Sequence, residues 1–260
     1  MKKSELANKN DLGSKKRTAS QAVGKISKTV GLVVAVVIFS SVAILTALVV
    51  LSSVGANRAS MTEYDNLREF AEQIDASDDG FELTSLGSLD IEMRQINPDF
   101  VAWIRVDGTR IDYPVVRGTD NLTYLTTSFQ GNQNRNGTLF MDYRNIQSIP
   151  DIPHIIIYGH NNEQGGMFSD LHRFLSDGFL NQNDTISLQV DDEILEFKVF
   201  SARLTDITDY AYFLNFDYTR AFSRFADRVE APLRATQIIT LSTCTNCNNN
   251  NARLVVQGYR

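Results

Sequence analysis

The chain has 260 residues, 43% of them hydrophobic, which is enough for one domain of ordinary size with additional segments. Its formal net charge of −6 is divided unevenly: residues 1–29 hold eight basic and two acidic side chains (net +6), and the remaining residues hold 17 basic and 29 acidic ones (net −12). An acidic body argues against a nucleic-acid-binding protein, which needs a basic face.

The first predicted element is an apolar helix in the uncharged run from Val30 to Val54. At about 1.5 Å per residue, a helix of this length crosses a hydrocarbon core of about 30 Å. The competing interpretation is a cleaved signal peptide, whose apolar core would span only about 7–15 residues. Because basic flanks stay on the cytoplasmic side, we expect a cytoplasmic tail at 1–29, a transmembrane anchor at 30–54 and an extracellular body.

Two helices are predicted between the anchor and the rest of the chain. In the first, apolar side chains recur at helical spacing, at Tyr64, Leu67, Phe70 and Ile74. The run Asp75–Gly80 interrupts this pattern, and a second helix is predicted at about 88–96, ending before Pro98. Residues 55–96 are therefore predicted to form a helical stalk or N-terminal helices.

Beyond residue 97 the pattern changes to short strands separated by turns. Strands are predicted at 101–106, 110–116, 137–142, 154–158, 185–190, 195–204, 238–242 and 253–259. Short helices are predicted at 121–128, 167–175 and 219–227. Many short strands with few long helices predict a mainly β protein with some α structure, in which residues 97–260 form a closed β-barrel with helical insertions.

Three reactive side chains lie at predicted strand ends. The strand beginning at Ile238 leads to Cys244, HIIIY leads through Gly159 to His160, and the last strand begins at Arg253. A thiolate attacks carbonyl carbons, an imidazole can protonate a leaving amine, and a guanidinium can hold an oxyanion. This set suits acyl transfer from a peptide bond, although strand-end residues of these types are common.

These motifs together resemble the sortases, cysteine transpeptidases of Gram-positive cell surfaces, and among them class B. The resemblance is carried by TLSTC (240–244), YGHN (158–161) and RLVV (253–256). Similar stretches in the family's order are NPDFVAWIRVDGTRIDYPVV (97–116), GTLFMDYRN (137–145) and GGMFSDLHRFL (165–175). The resemblance implies a closed barrel preceded by N-terminal helices, in agreement with the predicted elements.

The resemblance also implies an activity and its partners. The enzyme would cleave within the C-terminal sorting signal of a surface protein or pilin and form a thioester on Cys244. It would then transfer the protein to an amine, from a peptidoglycan precursor or from a lysine of a pilin subunit. His160 and Arg253 would complete the catalytic set, and no cofactor is implied.

Substrate contacts are implied at four further positions. Ser242 and Tyr158 lie two positions before Cys244 and His160 respectively. Asn121 and Leu125 lie in the helix predicted after the strand that contains Pro114, where the family lines its signal groove. Ordinary packing is the alternative for all four.

The second cysteine, Cys247, leaves several possibilities open. A zinc site needs about four ligands, and three histidines are available in the whole chain. A disulfide with Cys244 is possible outside the cell and would silence the nucleophile. We expect an incidental thiol, and no metal site, phosphate loop or dinucleotide motif is predicted.

Two functions other than transfer are compatible with the same residues. One is an extracellular cysteine protease that hydrolyses the same type of signal. The other is a catalytically silent, anchored binding module that retains the barrel as a scaffold.

Overall fold

The structure is a computed structural model of the chain. It describes residues 30–31, 33–52, 55, 61–74, 85–162, 165–191, 193–216, 219–245 and 251–260, so Cys247 and the predicted break at 75–80 lie outside the described residues. The chain divides into two compact units, Met1–Ala56 and Asn57–Arg260.

The first unit contains the apolar helix Val33–Ser52, whose mean hydropathy is 2.9. Its side chains are exposed on every face; Phe39, for example, is 79% exposed. A helix that is apolar all round belongs in an apolar surrounding. Among the described residues it is the one helix long and apolar enough to cross a membrane, and it coincides with the predicted anchor.

The second unit begins with two helices that pack on a barrel. Residues 61–74 form α1, which buries Tyr64, Leu67 and Ala71 on one face. Helix α2 is Ser85–Ile96 and buries Leu89 and Met93 one turn apart. The prediction placed the start of α2 three residues too late, because the first turn contains Gly87, a poor helix former.

Eight strands close into a barrel, as predicted. They are β1 (Phe100–Val106), β2 (Asp112–Val116), β3 (Leu139–Met141), β4 (His154–Tyr158), β5 (Thr185–Val190), β6 (Glu193–Asp206), β7 (Ile238–Cys244) and β8 (Ala252–Tyr259). Their order is β1-β2-β3-β4-β7-β8-β6-β5, and β5 pairs again with β1. The pairs β2–β3 and β4–β7 are parallel, and the other pairs are antiparallel.

Two predicted helices are shorter and tighter than expected. The segment predicted as a helix at 121–128 contains only the 3₁₀ turn Thr123–Leu125. Tyr124 O accepts from Thr138 N at 3.0 Å, and Thr126 O accepts from Asn134 N at 2.8 Å. Donors from later in the chain therefore take the place of the i+4 donors of an α-helix. The predicted helix at 167–175 is a 3₁₀ helix, Ser169–Leu175, which starts only after Met167 with its φ of 48°.

The third helix, α3 (Thr219–Arg228), lies in the connection between β6 and β7, as predicted. Phe225 and Val229 pack with Ile238 and Tyr259 in a small second core beside the barrel. The main core fills the barrel and includes the buried faces of α1 and α2. The reactive side chains of His160 and Cys244 lie at the rim of the barrel, where β4 and β7 end.

Candidate active site

The thiol of Cys244 lies at the exposed end of a buried strand. Strand β7 is buried from Ile238 to Thr243, and its last residue, Cys244, is exposed with a free thiol. In the antiparallel pairing of β7 with β8, Arg253 is directly opposite Cys244. Arg253 Nη1 donates to Ala252 O at 2.9 Å, which holds its guanidinium close to the strand end.

The imidazole of His160 reaches the same rim because β4 and β7 are parallel neighbours. Tyr158 pairs with Ser242, and Gly159 N donates to Ser242 O at 3.1 Å. The hydroxyl of Thr243 donates to Gly159 O at 2.8 Å, which ties the residue before His160 to the residue before Cys244.

A backbone carbonyl orients the imidazole ring. His160 Nε2 lies 2.7 Å from Leu125 O. Because a carbonyl oxygen only accepts, Nε2 must carry the proton of this bond, and in the neutral ring the lone pair is on Nδ1. His160 O accepts from Phe168 N at 3.0 Å, so backbone and ring are both held.

These groups line one cleft with a volume of about 630 Å³. Six predicted site residues line it: Asn121, Leu125, Tyr158, His160, Cys244 and Arg253. The structure places the seventh, Ser242, beneath the surface, with 2% of it exposed. Its Oγ lies 2.8 Å from the hydroxyl of Tyr212, which does line the cleft. Ser242 therefore contacts the cleft through Tyr212.

A buried carboxylate that the sequence analysis did not single out organises one wall. Asp142 has no exposed surface and accepts from Arg144 Nη2 at 2.8 Å, Tyr158 OH at 2.9 Å and Asn121 Nδ2 at 3.0 Å. Burial alone would raise the pKa of Asp142, but hydrogen bonds from Arg144 and Tyr158 outweigh it and lower the pKa. An acid directly after a buried strand, with an arginine two positions on, was the available signal.

The opposite wall comes from the connection between β6 and α3, where the sequence shows no motif. It contains the 3₁₀ turn Tyr210–Tyr212, capped by Asp209, which accepts from Ala211 N at 2.7 Å. Arg203 Nη2 also donates to Asp209, at 2.7 Å. The ring of Tyr212 stacks on that of Tyr158, with centroids 6.4 Å apart, so this connection contacts the end of β4 in the cleft.

The described residues contain no group of three or more histidine, cysteine or acidic side chains that could hold a metal ion. The chemistry that this cleft can perform with its own side chains is nucleophilic: an exposed thiol, an oriented imidazole and a guanidinium at three neighbouring strand ends.

Comparison with known proteins agrees with this chemistry. Residues 104–260 match the sortase domain. The chain is 33% identical to sortase B of Listeria monocytogenes over 177 residues, which cover 64% of this chain and 72% of that protein. It is 29% identical to sortase B of Staphylococcus aureus over 174 residues, covering 63% and 70% of the two chains.

Solved structures give the same result. A mutant form of Clostridium perfringens sortase B matches with a TM-score of 0.66 and 27% identity, covering 76% of this chain and 96% of that one. A sortase B–substrate complex from S. aureus matches with a TM-score of 0.69 and 25% identity, covering 78% and 97%. This chain belongs to the sortase family of cysteine transpeptidases, and within it to class B.

Proposed function

We propose that this protein is a membrane-anchored transpeptidase that cleaves a C-terminal sorting signal and transfers the protein to an amine of the cell wall or of a pilin subunit. The observation that carries the proposal is the cleft in which Cys244, His160 and Arg253 meet at adjacent strand ends. The family shown by the comparisons supports the same reaction class.

In the first step the Cys244 thiol gives its proton to His160 Nδ1, and the resulting thiolate attacks the carbonyl carbon of the scissile peptide bond. A carbon–sulfur bond forms, and the carbonyl electrons move to the oxygen, where the guanidinium of Arg253 stabilises the negative charge. The intermediate then collapses and the carbon–nitrogen bond breaks. The leaving amine takes a proton from His160, and a thioester remains on Cys244.

In the second step an incoming primary amine attacks the thioester carbon. His160 takes the proton that the amine releases, and the thiolate of Cys244 leaves as a new amide forms. The bond from His160 Nε2 to Leu125 O keeps the Nε2 proton in place throughout. Nδ1 is therefore the nitrogen that exchanges a proton in both steps.

The acceptor amine and the substrate groove are supported by solved relatives. S. aureus sortase B has been seen with a substrate, and a complex of sortase B with triglycine matches this chain with a TM-score of 0.67 and 26% identity. We infer that Tyr158, Asn121 and Leu125 line the signal groove here and that a peptide amine similar to triglycine serves as acceptor. Ser242 acts in this groove through Tyr212.

The proposed location follows from the N-terminal unit. The helix Val33–Ser52 is long and apolar enough to span a bilayer, and residues 1–29 are strongly basic. Since basic flanks remain cytoplasmic, the catalytic barrel would work outside the cell and close to the membrane, where surface proteins emerge.

Product analysis separates transfer from hydrolysis. Full-length protein in detergent micelles is incubated with sorting peptides taken from proteins of the same genome that end in a polar motif, an apolar segment and a basic tail. We expect mass spectrometry to show the cleaved peptide joined to triglycine when triglycine is added. If the free acid were the product with and without triglycine, the protein would be a protease.

A further inference from the structure

The N-terminal helix α1 reaches the segment that orients His160. Tyr64 of this helix is completely buried, and its hydroxyl donates to Gly137 O at 2.5 Å and lies 3.1 Å from Thr138 Oγ1. Burial raises the pKa of Tyr64 well above its ordinary value, so the phenol keeps its proton at any working pH. An element outside the barrel wall therefore supplies a permanent hydrogen-bond donor to the chain just before β3.

This chain segment lies directly against the peptide that accepts from His160. Thr138 N donates to Tyr124 O at 3.0 Å. A Cβ on Gly137 would come within 2.3 Å of Tyr124 O and 2.8 Å of Leu125 O, so the backbones are in contact. Leu125 O in turn accepts from His160 Nε2 at 2.7 Å. A continuous path of contacts thus runs from the α1 hydroxyl to the imidazole ring.

The same helix also braces the loop that follows His160. A Cβ on Gly166 would come within 2.7 Å of Met61 Cε, so the first turn of α1 lies against this loop. Phe168 N, at the end of the loop, donates to His160 O at 3.0 Å. Helix α1 therefore contacts both segments between which His160 is held.

We propose that Tyr64 is a positioning residue for transpeptidation. Its hydroxyl holds the Gly137–Thr138 peptide, so that Leu125 O keeps the His160 proton on Nε2 and leaves the lone pair on Nδ1 for the reacting groups. This inference rests on the proposed catalytic role of His160. It gives α1 a task in the reaction beyond packing on the barrel.

The tautomer of the His160 ring can be measured by NMR spectroscopy after labelling with a nitrogen isotope. The chain has three histidines, so the spectrum contains few histidine signals. In full-length protein in detergent micelles, we expect the neutral His160 ring to be the Nε2–H tautomer. Tyr64→Phe should give a mixture of both tautomers. It should also slow alkylation of Cys244 by iodoacetamide near neutral pH about tenfold, as expected when a reacting group is slightly misplaced.

Two further variants make the test selective. Tyr259→Phe removes the hydroxyl of another buried tyrosine, which accepts from Arg234 Nη2 at 2.6 Å at the far end of β8. This variant should change neither the tautomer of His160 nor the alkylation rate of Cys244. Thr138→Val removes the hydroxyl that donates to Thr127 O at 2.9 Å. It disturbs the Gly137–Thr138 segment from the side of the barrel. It should shift the tautomer as Tyr64→Phe does, so the test holds even if Tyr64→Phe fails to fold.

An unchanged Nε2–H ring and an unchanged alkylation rate in the folded variants at Tyr64 and Thr138 would overturn the positioning role. His160→Ala distinguishes this result from a failure of the proposed function. If His160→Ala also alkylates and turns over peptide normally, His160 is not catalytic, so its assigned role and the positioning role of Tyr64 both fall. If His160→Ala is inactive while the tautomer is insensitive to Tyr64, the positioning role alone is wrong.

Discussion

At the scale of single residues, the site depends on groups that are fixed by backbone atoms. Arg253 is held by the carbonyl of Ala252 and lies opposite Cys244, and His160 is held by the carbonyl of Leu125. Because these partners are backbone carbonyls, replacing Arg253 or His160 leaves the partner group in the protein, so the contribution of each side chain can be measured separately.

Arg253→Lys is expected to recover little of the activity lost in Arg253→Ala. A guanidinium presents a planar fork of donors to an oxyanion, whereas an ammonium is a compact point charge. Loss of one oxyanion donor costs about 100–1,000-fold in turnover, and we expect at least this loss for alanine. Turnover of a sorting peptide is measured together with a melting curve. Near-normal turnover of a folded Arg253→Ala protein would rule out the oxyanion role.

His154 is predicted to make the fold sensitive to acid. Its ring is completely buried; Nδ1 lies 2.8 Å from Phe213 O, and Nε2 lies 2.8 Å from Thr240 Oγ1. Burial lowers the pKa of His154 from 6.5 to about 4, so the unfolded chain takes up the proton first as the pH falls. Stability present above pH 6.5 is therefore lost between about pH 6.5 and 4, by about 3 kcal/mol.

Urea denaturation at several pH values measures this effect. His154→Gln serves as the matched control, because it keeps the carboxylates that also respond to acid and removes the imidazole. The unsubstituted protein should lose more stability than the variant over this pH range. Equal losses in the two proteins would mean that His154 does not cause the sensitivity.

At the scale of elements, the parallel neighbours β4 and β7 determine where the reactive groups meet. Both strands are buried along most of their length, and each ends at the same rim in a residue of the cleft. The turn after β4 needs a glycine, since a Cβ on Gly159 would lie 2.3 Å from Leu139 Cδ2 and 2.8 Å from Phe168 Cδ2.

Gly159→Ala is therefore expected to destabilise the protein by about 1–3 kcal/mol, as overpacking of a core usually does. It should also lower turnover, because the shift occurs one residue before His160. A double variant with Leu139→Ala removes the contacting methyl group, so its loss of stability should be smaller than the sum of the two single losses. Strictly additive effects in denaturation experiments would show that Leu139 and Gly159 do not clash.

The elements also show how far the sequence could predict this structure. The barrel strands were predictable because buried β-branched runs alternate with turns, and HIIIY was predicted to the residue. The predicted helix at 121–128 was wrong because Tyr124 O and Thr126 O find partners distant in sequence. Asp142 and Tyr212 were missed because Tyr158 and Ser242, to which they are hydrogen-bonded, are brought to them only by the closed barrel.

At the scale of the whole molecule, the uneven distribution of charge accompanies a division of the chain into two compact units. The basic tail and the apolar run lie in the unit Met1–Ala56, and the acidic remainder forms the unit Asn57–Arg260. The main core draws its residues from the second unit, including α1 and α2. The barrel therefore has its own core, as an independently folding domain requires.

Deleting residues 1–56 is expected to give a soluble protein that retains peptide cleavage and transfer. The physical reason is that, among the described residues, the main core and the cleft are built from the second unit, Asn57–Arg260. Size-exclusion chromatography and the triglycine transfer assay check the two halves of this prediction. Aggregation of the truncated protein, or a folded protein without cleavage, would contradict it.

The central claim is that Cys244, and not Cys247, carries the acyl group. The most direct measurement is mass spectrometry of the enzyme trapped with a sorting peptide in the absence of an amine acceptor, under reducing conditions. We predict a thioester adduct on the unsubstituted protein and on Cys247→Ala, and none on Cys244→Ala. An adduct on Cys244→Ala that is absent from Cys247→Ala would contradict the account.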